Sequence, residues 1–132
     1  MPDPSATITI NLGVRVTLNI NAPVTGLTFA APDGTANSHN SLTHTGSNIL
    51  TVNGPVTFNQ PTANSRQNGW NIHAGSAMVT GLMTFAGGTN SATRISSITI
   101  TTGELNAWGG LTFTDSNAAS KQIIMSGGAG RL

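Results

Sequence analysis

The chain contains no cysteine in 132 residues, so no disulfide framework holds it together. That absence suits a secreted protein built on backbone ladders as well as a cytosolic one. Charge is scarce too: Asp, Glu, Lys and Arg make up 7% of the residues, against about 25% in an average globular domain. The formal net charge of +1 comes from five basic and four acidic side chains scattered singly, which excludes the basic stripe that nucleic-acid binding requires. No apolar run approaches the roughly 18 residues of a membrane span. The opening Met1-Pro2-Asp3-Pro4 lacks the charged and apolar regions of a signal peptide, so the expectation for an exported parent is a signal that was removed or that lies upstream of this sequence. Helical spacing of apolar residues is missing throughout.

Gly, Ser, Thr and Asn fill close to half of the chain. Low charge with many polar residues also describes disorder, but disordered chains lack β-branched residues, and here Ile, Val and Thr are plentiful and alternate. A length of 132 residues fits one domain.

A repeat organises the sequence. Thr-Phe recurs at Thr28-Phe29, Thr57-Phe58, Thr84-Phe85 and Thr112-Phe113, with spacings of 29, 27 and 28. A glycine closes each unit at Gly46, Gly75, Gly103 and Gly130, and a period of this length marks a stack of similar coils. Reading backward from Phe58, Phe85 and Phe113 in steps of two, the strand period, gives uniform columns. Val56, Met83 and Leu111 come first; Gly54, Gly81 and Gly109 follow; then Val52, Val79 and Ala107; then Leu50, Ala77 and Leu105. This predicts one strand with an apolar face, a glycine notch, and an outward ladder of Thr57, Thr84 and Thr112.

A second strand precedes each closing glycine. Counting back three and five gives Ile100 and Ile98, Ile72 and Trp70, Gly127 and Met125, and Ile10 and Ile8 before Gly13. Leu42 falls one place out of register, and residues 26–29 read as an insertion. The expected fold is an all-β parallel β-solenoid of about four coils and roughly 28 residues per coil. It forms a single domain over 1–132, with a partial coil at 6–13 and coils at about 14–46, 47–75, 76–103 and 104–130. An antiparallel sandwich is the alternative that short alternating strands allow. Glycines suit the corners, and the Asn-rich stretches Thr62–Ser65 and Thr89–Ala92 suit the loops.

The units Leu50-Thr-Val-Asn-Gly-Pro-Val-Thr-Phe58 and Arg94-Ile-Ser-Ser-Ile-Thr-Ile-Thr-Thr-Gly103 resemble the repeats of very long bacterial surface proteins, similar to autotransporter passengers and haemagglutinin-like adhesins. The resemblance covers about residues 14–132. It implies an extracellular or cell-surface location, further copies in a parent protein, and roles in adhesion, biofilm matrix or surface fibres.

Catalytic equipment is not in view. The acids Asp3, Asp33, Glu104 and Asp115 share no column, whereas β-helix lyases and hydrolases need clustered carboxylates. No enzyme activity, cofactor or metal is therefore expected. His44 and His73 stand two residues before Gly46 and Gly75 and invite a metal pair; with His39 they read more simply as surface or ladder histidines. The glycine pairs Gly87-Gly88, Gly109-Gly110 and Gly127-Gly128 lack the lysine or helix of a phosphate cradle and read as turns.

A small hydroxyl residue followed by a cation recurs at Ser38-His39, Ser65-Arg66, Thr93-Arg94 and Ser120-Lys121. Arg66, Arg94 and Lys121 are thus candidates for a positive stripe facing an acidic polysaccharide or lipid; a solvated edge that discourages wrong pairing is the other reading. Trp70 shares the column of Ile98 and is expected in the core, whereas Trp108 lies on the opposite parity and is a candidate ligand contact. Ice binding normally uses two threonine columns, and only one is evident.

Neither end of the sequence resembles a cap. It opens on Ala6–Gly13, a partial coil, and reaches Gly130-Arg131-Leu132 where another unit would start. The expectation is a structural or adhesive module, continued covalently in a longer protein or by self-stacking end to end into a filament; carbohydrate or ice binding is the alternative.

Overall fold

The computed structural model describes residues 5–33, 39–87, 93–114, 121–127 and 130–132, and all its regular structure is β. Three parallel sheets form the sides of a solenoid. The first, here the Phe sheet, contains β1 (Thr7–Ile10), β4 (Gly26–Phe29), β7 (Val56–Phe58), β10 (Met83–Phe85) and β13 (Leu111–Phe113) in that order. The second, the Trp sheet, runs β2 (Arg15–Leu18), β5 (Asn40–His44), β8 (Gln67–Ile72), β11 (Ile95–Ile100) and β14 (Lys121–Met125). The third contains β3 (Ala22–Val24), β6 (Ile49–Val52), β9 (Ser76–Val79) and β12 (Glu104–Ala107). Each coil visits the Trp sheet, then the third, then the Phe sheet.

Parallel in-register pairing sets each residue on its equivalent one coil away. Met83 pairs with both Val56 and Leu111, and Phe85 with both Phe58 and Phe113. The phenylalanine rings stack at 4.4 Å (Phe29–Phe58), 4.6 Å (Phe58–Phe85) and 4.9 Å (Phe85–Phe113). Offset-stacked pairs of this kind add about 0.5–1.5 kcal/mol each beyond the area they bury. Val56, Phe58, Met83, Phe85, Ile72 and Ile100 are fully buried, whereas Leu111 and Phe113 lie at the open end of their columns.

The long strand expected from Leu50 to Phe58 is two strands in two sheets, meeting at a corner on Gly54. The glycines at that corner are required by contact. A Cβ on Gly81 would lie 2.4 Å from the Gly54 carbonyl carbon, and one on Gly109 would lie 2.2 Å from that of Gly81. The three backbones touch there, so the period-two pattern runs through the bend unbroken. Gly46 and Gly75 turn the Trp sheet into the third sheet with φ of 69° and 88°, and Gly13, with φ of 71°, stands between β1 of the Phe sheet and β2 of the Trp sheet.

Four register assignments differ from the sequence expectation. β1 belongs to the Phe sheet, with Ile10 on Phe29 and Ile8 on Leu27, and not to the column before the closing glycines. Residues 26–29 are strand β4, not an insertion; Val24 to Leu27 is instead one residue shorter than Val52 to Val56. Leu42 pairs with Trp70 and is in register, because it is Gly46 that sits one position early. Met125 stacks on Ile100, and Ile123 on Ile98. In the loops, the left-handed conformation is taken by Ser65 (φ 58°) and not by Asn64. The stretch 89–92 lies outside the described residues, as do Asp3, Ser38, Gly88, Asp115, Ser120 and Gly128.

Gly81→Ala is expected to lower stability by about 1–3 kcal/mol, since the added methyl has no space between touching backbones. A thermal melt followed by far-ultraviolet circular dichroism should show a Tm drop of several degrees.

Candidate functional site

The solenoid interior contains a polar column that the apolar pattern does not announce. Inward-facing Asn40 and Asn68 are buried and paired by register, and the Asn40 Nδ2 donates to Asn68 Oδ1 at 2.9 Å. Asn40 also donates to the Ala30 carbonyl at 2.8 Å and accepts from the Gly13 N–H at 2.9 Å, while Asn68 donates to the Asn59 carbonyl at 2.7 Å. These side chains pin the backbone leaving the Phe sheet onto the Trp sheet. Their spacing of 28 residues was the available signal, hidden because neither is apolar.

Lys121 joins this column. It pairs with Ser96, is 6% exposed, and so does not continue a cation stripe. The cause is loop length: Phe113 to Lys121 spans eight residues where Phe85 to Ser96 spans eleven, which draws the lysine out of the loop and into β14. His39 is likewise aligned with Gln67, one position past Arg66. Of the four proposed members, Arg66 and Arg94 alone occupy equivalent places. Arg66 Nε donates to the Asp33 carbonyl at 3.1 Å, and Arg94 Nε to Asn64 Oδ1 at 3.1 Å, so each ties its coil to the loop before it.

His44 and His73 do not form a pair. His44 pairs with Ile72 on the inward side and is fully buried, whereas His73 is exposed and shares a hydrogen bond with Thr101 at 3.3 Å. His44 is therefore a core residue, not a surface one. Trp70, buried as expected between Leu42 and Ile98, donates its Nε1–H to His44 Nε2 at 2.9 Å. Accepting that bond places the ring proton on Nδ1, which is buried without a hydrogen bond among the described groups. Burial pushes the His44 pKa down to about 4; the Asn48 backbone favours the charged form weakly and makes no bond of normal geometry to it.

Among the described residues no group of three His, Asp or Glu stands together. Glu104 accepts from Asn106 Nδ2 at 3.1 Å on the third sheet, remote in sequence from Asp33. Trp108 is 71% exposed at the corner after β12. The outward threonine column is longer than expected, running Thr9, Thr28, Thr57, Thr84, Thr112. Pro55 and Leu82 flank it on one side and Asn59 and Ala86 on the other, so no second hydroxyl column accompanies it.

The outer face of the Trp sheet holds a groove of about 580 Å³. Its floor is the column Ser41, Gly69, Ser97, and Gln67 and Asn71 stand on opposite walls. No described helix is long and apolar enough to cross a membrane. Comparison with known protein families, with curated proteins and with solved structures finds no match to this chain.

His44 links stability to acidity. Its folded pKa lies below the unfolded value of 6.5, so the unfolded chain binds the extra proton first. Stability is complete above pH 6.5 and falls as pH drops toward about 4, by up to roughly 3 kcal/mol. Urea melts across that window should show the loss, and His44→Leu, matching Leu18 in the same column, should flatten it.

Proposed function

We propose that the chain is a structural or adhesive repeat module of an extracellular surface protein or self-stacking filament, in which further coils cover both end faces. It acts as a scaffold, without catalysis or a cofactor. One observation carries this reading: columns sealed in the middle of the solenoid are open at its end. Phe113 is 47% exposed where Phe29, Phe58 and Phe85 are at 0%, and Met125 is 45% exposed where Ile72 and Ile100 are at 0%. Unfinished columns with unpaired strand edges are a template for the next coil.

The phase of the two faces supports stacking of copies. From β1 onward the chain visits the sheets in unbroken rotation, and Arg131, bridged to Glu104, occupies the third-sheet position after β14. A Phe-sheet strand comes next, and β1 of a second copy is one. Placed there, Ile10 would cover Phe113, Thr9 would extend the threonine column beyond Thr112, and Leu18 would cover Met125. Pro23 has no N–H to offer the open edge of β3, so β1 and β2 carry most of the pairing. The bacterial surface repeats that the sequence resembles support the extracellular location.

Negative-stain electron microscopy and sedimentation of the 132-residue polypeptide test this. Linear particles that lengthen with concentration are expected, with an axial repeat of roughly 24 Å from five rungs about 4.8 Å apart. Phe113→Asp should hold the chain as a monomer with an unchanged circular dichroism spectrum. Wild-type protein that stays monomeric at every concentration would overturn the stacking reading.

A further inference from the structure

The groove on the outer face of the Trp sheet runs along the side of the solenoid, and its centre lies on β5, β8 and β11, away from the end faces. It exists because Gly69 stands in the middle of β8, between Ser41 and Ser97 of the neighbouring coils. A glycine inside a strand weakens it, and the usual reasons for one are a positive φ or the close approach of another backbone. Neither applies here. Gly69 is not among the residues of positive φ, and a Cβ built on it would meet nothing nearer than Asn71 Nδ2 at 3.9 Å. Gly54, Gly81, Gly103 and Gly109, by contrast, would place a Cβ within 2.0–2.6 Å of a neighbour. The fold accepts a side chain at Gly69, and what its absence produces is the deepest part of an open trough.

We infer that this groove is a binding site for a linear glycan lying parallel to the solenoid axis. Its volume of about 580 Å³ is within the range of small-ligand clefts, on the order of 300–1,000 Å³. The floor and walls offer hydroxyl and amide groups at successive rungs, Ser41 and Ser97 below with Gln67 and Asn71 beside them, and such groups donate and accept alike. That surface suits a ligand of repeated hydroxyl groups. Ile95 and Ile124 in its lining stand on opposite walls and form no row of alternate apolar pockets for an extended peptide, and a nucleic acid would want several cations where Arg15 is the one Lys or Arg among the described lining residues. Among the described residues no carboxylate lines it, so a uronic acid meets no repulsion from them, and Arg15 at one end gives such a group a partner.

Isothermal titration of the full chain with cellohexaose and with hexagalacturonate tests the assignment. At least one should bind, and Gly69→Val should weaken that binding at least tenfold while Tm holds or rises, since the added side chain enters open space. Gln67→Ala should weaken it several-fold in a chain whose strand is otherwise unchanged. Tighter binding of hexagalacturonate, lost in Arg15→Gln, would assign the acidic arm; equal binding would assign the neutral one. If Gly69→Val does not fold, amide shift mapping on the wild-type chain replaces it, and shifts confined to β5, β8 and β11 together with Arg15 of β2 and Gln122 and Ile124 of β14 support the site. Failure of both saccharides to bind, binding untouched by Gly69→Val, or shifts mapping elsewhere would overturn it. Because the centre of the groove on β5, β8 and β11 is present in a single copy, either proposal survives the failure of the other.

Discussion

Parallel pairing in register is the constraint from which the rest of this structure follows. It sets every side chain directly upon its own equivalent one coil away, so the composition of a column is limited to residues that tolerate being stacked on themselves. Phenylalanine satisfies this with rings nearly parallel, at 6° and 2° in the first two pairs. Threonine satisfies it on the outside, where a β-branched side chain suits the pleated surface. Charge does not, because identical charges about 4.8 Å apart repel at short range. The 7% charge content is thus a consequence of architecture, and the two arginines in equivalent places each bond toward the preceding loop instead of standing in a bare stripe.

Where a polar residue does enter the interior, the same geometry supplies its partner. Asn40 and Asn68 bond to each other and to carbonyls of passing strands, so that like stacked on like becomes a ladder. His44 and Trp70 solve the problem diagonally: the indole of one coil donates to the imidazole of the coil before it, in adjacent columns. The solution holds for the neutral ring alone. Protonation removes the acceptor and leaves a charge beside the Trp70 indole and between Leu18 and Ile72 of its own column, which is why the depressed pKa and the hydrogen bond are one fact seen twice.

Period and face were legible in the sequence because apolar columns repeat whatever the cross-section. The Phe58, Phe85, Phe113 column, the buried Trp70 and the exposed Trp108 could all be read before any coordinates. Corners could not, since Gly54 lies where two sheets meet while keeping the parity of a single strand. Loop length misled twice. The connection into β14 is short by three residues, which hid the inward turn of Lys121, and the four residues between β1 and β2 disguised β1 as a pre-glycine strand. His44 was misread because its proximity to Gly46 was counted from the glycine, whose own position is shifted by one. The groove left a signal in Ser41, Gly69 and Ser97 at equal spacing, but a column of small residues has no charge or aromatic ring to draw notice.

Inward columns are fixed by volume and self-stacking, so a coil has little freedom there to carry anything but stability. Recognition must be written on outward columns and on the two end faces. The outward columns need only avoid repulsion, and a departure from what stability favours is therefore informative on them in a way it is not inside. Gly69 is such a departure, a weak strand residue where backbone and neighbours leave room for a stronger one. The open Phe113 and Met125 are another, apolar surface left uncovered where the inner coils leave none. The glycan groove proposed along the side and the stacking proposed at the ends are compatible uses of one rod: stacking would lengthen the row of outward columns, and any ligand held in the groove would meet a longer track with each coil added.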